Sequence, residues 1–131
     1  MRQESVFDPR ATSGAGARGL MQVLPAVGER MAHSRGYHDW DPVLLYQPEV
    51  SLDFGTGHLI AALRRYREPA HALAAYNAGS SRVDRWLARP GATTDPELFI
   101  ERIPYVETRN YVRAVLRNWW MYEALYFGGR P

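Results

Sequence analysis

The chain contains no cysteine and no lysine; all 16 of its Lys+Arg residues are arginine. The first absence excludes disulfide frameworks, thiolate metal sites and cysteine nucleophiles, and leaves the redox compartment open. The second is a codon-composition signature of a GC-rich source and carries no function. No apolar run reaches the ~18 residues of a membrane span and no signal-peptide pattern is present, so no membrane contact is expected of this segment. Strong charge of either sign is also missing. A formal net charge of +2 gives no reason to expect a nucleic-acid partner.

What is present reads as one globular domain over residues 1–131. With 46% hydrophobic and 12% aromatic residues, a chain of this length can bury about two thirds of its unfolded surface around a single core. Asp8 to Gly19 holds Pro9, Gly14, Gly16 and Gly19 and is expected to be an irregular loop with at most a very small β element. Short helices follow at Pro25–Ser34 (apolar Val27, Met31, Ala32), from about Ser51 to Arg67 with a stripe of Leu52, Leu59, Ile60, Leu63 and Tyr66, at Ala70–Tyr76, and at Ser81–Leu87. Tyr37 to Glu49 is a connection. Asp95-Pro96 is a helix start that should run to about Arg102. After Pro104, the positions Tyr111, Val112, Val115, Leu116, Trp119, Tyr122 and Leu125 mark one face of a long last helix, with Trp119 and Trp120 assigned to packing. The expected fold class is therefore mainly α.

Two apparent signals fail on context. Gly14 to Gly19 has the GxGxxG spacing, with Asp39 about 20 residues on, but a dinucleotide site needs a buried strand just before it, and residues 1–13 are mostly polar. His33, His38, His58 and His71 show no metal-binding spacing and read as surface or loop histidines, so neither metal nor cofactor is expected.

Five segments in fixed order carry more: Arg2-Gln3-Glu4-Ser5-Val6-Phe7-Asp8-Pro9, Ser13 to Gly19, Gly19-Leu20-Met21-Gln22, Ala75-Tyr76-Asn77-Ala78-Gly79, and Ile103-Pro104-Tyr105-Val106-Glu107-Thr108-Arg109-Asn110-Tyr111-Val112. Together they resemble the catalytic domain of the soluble lytic transglycosylase family. The resemblance covers essentially the whole chain. It implies a lysozyme-like fold of the goose-lysozyme type, with a glycan strand of peptidoglycan lying in a groove. The family's opening helix is cut to its end here, so the first helix is expected to be truncated and the segment weakly stable by itself. Leu24 stands where the family has methionine, a swap of similar volume.

By the same resemblance Glu4 is the catalytic residue, acting first as acid toward the leaving N-acetylglucosamine and then as base toward the C6 hydroxyl of N-acetylmuramic acid. The product is a 1,6-anhydro sugar and no water is consumed. Tyr111 would orient Glu4. Ser13 and Gln22 would hydrogen-bond the sugar and its N-acetyl group, Tyr76 and Asn77 would line the groove, and Glu107 would face the substrate while Arg109 braces it by ion pairing. Asn77 and Gly79 read equally well as a helix stop. An acid that keeps its proton needs apolar neighbours, for which Leu20, Met21, Val23 and Tyr111 are candidates. The resemblance further implies a cell-envelope location, periplasmic included, and a monomeric domain of a larger protein. Two alternatives stand beside it. A lysozyme-type hydrolase would ordinarily need a second carboxylate, Asp8 or Glu107, and a peptidoglycan-binding module would have no turnover.

Overall fold

A computed structural model describes residues 1–128. Its helices are α1 (Arg2–Ser5), α2 (Pro25–Ser34), α3 (Pro48–Tyr66), α4 (Pro69–Ala78), α5 (Ser80–Leu87), α6 (Pro96–Glu101) and α7 (Val106–Tyr122). A 3₁₀ turn at Pro42–Tyr46 lies inside the 37–49 connection, and a π-helical turn at Glu123–Phe127 follows α7. Among the described residues there is no strand, only the isolated antiparallel bridges Thr12–Arg18 and Arg18–Val23. The mainly helical expectation therefore holds. The chain divides into two compact units, Met1–Ile60 and Ala61–Pro131.

The first unit is organised around close backbone approach. Gly19 has φ +76°, and a Cβ there would overlap the Leu45 carbonyl oxygen and come within 2.9 Å of Ser51 Oγ. Gly55 lies so near Met21 that any side chain would overlap the methionine Cβ. The turn carrying Gly19 to Gln22 is thus pressed onto the 3₁₀ turn and the start of α3, where Leu45, Ser51 and Phe54 are fully buried. This overturns the apolar stripe expected for α3. Its buried positions are Ser51, Phe54, Gly55 and Ala62, whereas Ile60 and Leu63 are exposed. Ser51 and Gly55 are small because a backbone turn lies against them, and Phe54 is the one large side chain among the buried positions. Trp40 stacks on Phe54 at 5.1 Å, and Gly28 on α2 gives Trp40 room.

In the second unit α4 is the central element. Ala70, Ala72, Ala74 and Ala75 are buried with Leu73 and Ala78, and α5, α6 and α7 all pack on it. Helix ends follow the sequence signals: Asp95 accepts hydrogen bonds from the Glu97 and Leu98 amides at 2.9 and 3.2 Å, with Pro96 at the first helical position. Gly79 closes α4 with φ +93°.

Two expectations fail here. On α7 the buried residues are Thr108, Val112 and Leu116, while Trp119, Trp120, Tyr122 and Leu125 are exposed, so the tryptophans do not pack as assigned. The other helices of this unit cover only the first part of α7. His71 is not a surface histidine either; it is buried on α4 with its ring edge-on to Phe99 at 4.2 Å. It sits on α4, among the small side chains of Ala70, Ala72, Ala74 and Ala75.

Two outcomes follow. Gly19→Ala should cost about 3 kcal/mol in urea unfolding, from positive φ plus overpacking, whereas Gly14→Ala, with nothing near its Cβ, should stay within about 0.5 kcal/mol. Burial lowers the pKa of His71, with Glu68 opposing, and burial followed by the Arg30 charge lowers that of His58. The unfolded chain then takes up these protons first, so stability is full above about pH 6.5 and falls as pH drops through that value. Between pH 8 and 6 the Tm should fall, and it should fall less in His71→Leu.

Candidate active site

Glu4 occupies the last turn of α1 and is half-buried. Four residues make no stable helix alone, so the position of α1 rests on its neighbour. The buried Ser5 hydroxyl donates to the Leu20 carbonyl at 2.9 Å and to the Met1 carbonyl at 3.3 Å. The chain leaves α1 through Val6 and Phe7, both left-handed at φ 52° and 63°, a costly pair for non-glycine residues and rarest for a β-branched one. Burial lowers the pKa of the Met1 amino group, and the Glu4 carboxylate partly opposes this.

The turn that receives Ser5 is itself tied down. Met21 N donates to Ser51 Oγ at 3.0 Å. Gln22 takes φ 50° and its Nε2 donates to the carbonyls of Ala11 and Gly19 at 3.0 and 2.9 Å. The amide nitrogen of Gln22 is thus spent on holding the 11–19 loop, and Oε1 is left, which accepts no hydrogen bond among the described residues. Ser13 is exposed, and its Oγ accepts from Ala17 N at 3.0 Å. Leu20, Met21 and Val23, the candidates for an apolar bed, are all buried. Asp8 is exposed, with Oδ1 accepting from Arg10 N at 2.9 Å.

In the second unit Tyr76 and Asn77 lie in the last turn of α4, and Glu107 and Tyr111 stand one turn apart on α7. Tyr76, Asn77 and Tyr111 are half-buried and Glu107 is exposed. The two helices meet through Thr108, whose Oγ1 donates to Asn77 Oδ1 at 2.7 Å. No motif argument singled out Thr108. Its place within the Glu107-Thr108-Arg109 segment, one turn before the buried Val112, was the available signal. Tyr105, at the N-cap of α7, meets Trp86 edge-on at 5.6 Å and the Arg82 guanidinium at 5.4 Å. The ion pairing expected of Arg109 is not seen among the described residues, where its Nε is buried without a partner.

A cavity of about 470 Å³ in this unit is bounded by Trp86, Arg89, Phe99, Arg102 and Ile103, and none of the expected site residues lines it. Among the described residues no group of three or more His, Cys, Asp or Glu could hold a metal ion. No helix among them is long and apolar enough to cross a membrane.

Residues 1–99 match the transglycosylase SLT domain. The soluble lytic murein transglycosylase of Salmonella typhimurium is 37% identical over 127 residues, covering 95% of this chain and 19% of its own length. The lytic transglycosylase Slt of Pseudomonas aeruginosa, solved as an inactive Glu-to-Gln mutant, superimposes with TM-score 0.86 at 34% identity, over 99% of this chain and 21% of that one. A 70-kDa soluble lytic transglycosylase in complex with bulgecin A gives 0.87 at 35% identity, over 98% and 21%. The chain therefore spans about a fifth of the length of such relatives, over which its fold is the lysozyme-like one of the lytic transglycosylases. From the matched domain, the identity over nearly its whole length and the superposition, the chain belongs to the SLT-domain lytic transglycosylase family.

Proposed function

We propose that this domain cleaves the β-1,4 bond between N-acetylmuramic acid and N-acetylglucosamine in peptidoglycan without hydrolysis, leaving a 1,6-anhydro end. Residues 1–131 are taken as one catalytic domain of a larger cell-envelope protein, with glycan strands as its partner. The observation that carries the reading is the bond from Ser5 to the Leu20 carbonyl. It fixes the short α1, and with it Glu4, to a turn whose Leu20 and Met21 side chains are buried. An anchored, half-buried carboxyl group is suited to deliver a proton and take one back.

In this reading Glu4 protonates the glycosidic oxygen as the C1–O bond breaks. The substrate's own N-acetyl group stabilises the charge at C1, and Glu4 then accepts the proton of the C6 hydroxyl as that oxygen closes on C1. Proton and oxygen balance without water. Tyr111 holds the Glu4 carboxyl in the orientation needed. Ser13 and Gln22 shape the loop that meets the sugar, and Gln22 offers the N-acetyl N–H an acceptor, Oε1. Tyr76 gives a ring for a sugar face, and Asn77 and Glu107 meet polar groups of the strand. The inactive Glu-to-Gln relative supports a single glutamate at the centre of the chemistry. A lysozyme-type hydrolase is less well supported, because both candidate second carboxylates, Asp8 and Glu107, are exposed, and Asp8 Oδ1 already accepts from its own loop.

Release of soluble muropeptides from purified sacculi tests the assignment. Glu4→Gln should lower the rate at least about 10³-fold, since one group performs both proton transfers. Tyr111→Phe should lower it about threefold to tenfold, the worth of one hydrogen bond. Unchanged binding with no turnover in the parent chain would instead mean a binding module.

A further inference from the structure

The hydrogen bond between Thr108 and Asn77 has a direction that the chemistry of the two groups dictates. Asn77 Oδ1 carries no hydrogen, so at 2.7 Å the Thr108 hydroxyl is the donor and the amide oxygen the acceptor. With Oδ1 turned to Thr108, the Asn77 NH2 group is turned away from it. Nδ2 donates to nothing among the described residues, and Asn77 is half-buried, so its two hydrogens remain available to a ligand. Thr108 is only 2% exposed and sits in the first turn of α7. A threonine in a helix commonly turns its hydroxyl back to a carbonyl of the preceding turn. Here the hydroxyl crosses to another helix instead.

Helix capping does not account for Asn77. An asparagine that ends a helix does so in a left-handed conformation. In α4 the residue that ends the helix is Gly79, at φ +93° and ψ +143°, whose amide bonds to Ala75 O at 2.8 Å, while Asn77 remains in the helix two residues earlier. The last carbonyls are served from elsewhere too, Arg82 Nη1 donating to Ala78 O at 2.8 Å. The side-chain amide of Asn77 is therefore not consumed by the helix end.

We propose that Thr108 is a positioning residue that fixes the Asn77 amide so that its NH2 group donates to an acceptor oxygen of the bound glycan strand. This rests on the proposed function, in which Asn77 meets the substrate. Thr108 itself touches no substrate and acts only through Asn77. Because an amide turned by 180° presents an acceptor in place of two donors, loss of Thr108 lets Asn77 offer the wrong group to the sugar half of the time. The cost falls on binding of ground and transition states alike, and so on KM more than on kcat.

The test uses the full chain carrying Glu4→Gln, so that nothing turns over, with a β-1,4-linked tetramer of N-acetylglucosamine as probe and Kd read by calorimetry. Asn77→Ala should weaken binding by about threefold to tenfold, the worth of one hydrogen bond, and Thr108→Val by about twofold, since the amide then faces the sugar correctly about half of the time. The double variant should be no weaker than Asn77→Ala alone, and Thr108→Ser, which keeps the hydroxyl, should restore the parent value. Losses that multiply in the double variant would overturn the positioning role and leave the site standing. Full binding by Asn77→Ala, or no binding by the Glu4→Gln chain, would overturn the site reading itself. Should Thr108→Val fail to fold, the Asn77 side-chain NH2 resonances of the Glu4→Gln chain decide: they must shift on adding the tetramer, and resonances that stay in place contradict the proposal.

Discussion

A single turn seated by backbone contact at Gly19, the turn from Gly19 to Gln22, anchors the helix that carries Glu4. It can lie against Leu45, Ser51 and Gly55 only because two of the meeting residues are glycines. Once it is seated, Gly19 makes the approach, Leu20 offers a carbonyl to Ser5, Met21 ties to Ser51, and Gln22 braces the 11–19 loop. A four-residue helix has almost no stability of its own. The catalytic candidate thus inherits its order from a turn fifteen residues away in sequence.

The second unit reaches order by a different route. Alanines let the other helices approach α4 closely, and this packing delivers the Ala75-Tyr76-Asn77-Ala78-Gly79 segment to the first turn of α7. Thr108 fastens the junction by a polar bond, which in a largely buried place is directional in a way that apolar contact is not. The exposed aromatic end of α7 contributes nothing to this junction. Its sequence periodicity is real, but periodicity alone does not say whether another element is present to cover a face.

Much of the fold was legible because its signals are local. Proline at the first turn and Asp95 as a cap placed α2 and α6 closely, and Gly79 gave the end of α4. The packed face of α3 was not legible. It is written largely in Ser51 and Gly55, residues on either side of Phe54 that a search for large apolar side chains passes over, and their meaning appears only when a distant turn lies on them. Buried His71 was missed for a similar reason, since its place depends on the alanines around it. At the site, the motif residues stood out by type, but type did not reveal that Gln22 spends its amide nitrogen on its own loop, or that Thr108 holds Asn77. Both depend on pairs of residues more than ten positions apart.

A carboxylic acid can open a glycosidic bond toward water or toward the substrate's own hydroxyl, and the two routes differ in where the new oxygen comes from. Digestion of purified sacculi in ¹⁸O-labelled water, followed by mass spectrometry of the released muropeptides, separates them most directly. Chemistry by Glu4 alone, with the C6 hydroxyl as nucleophile, predicts 1,6-anhydro ends that carry no label. Reducing muramic acid ends bearing one ¹⁸O atom would contradict it.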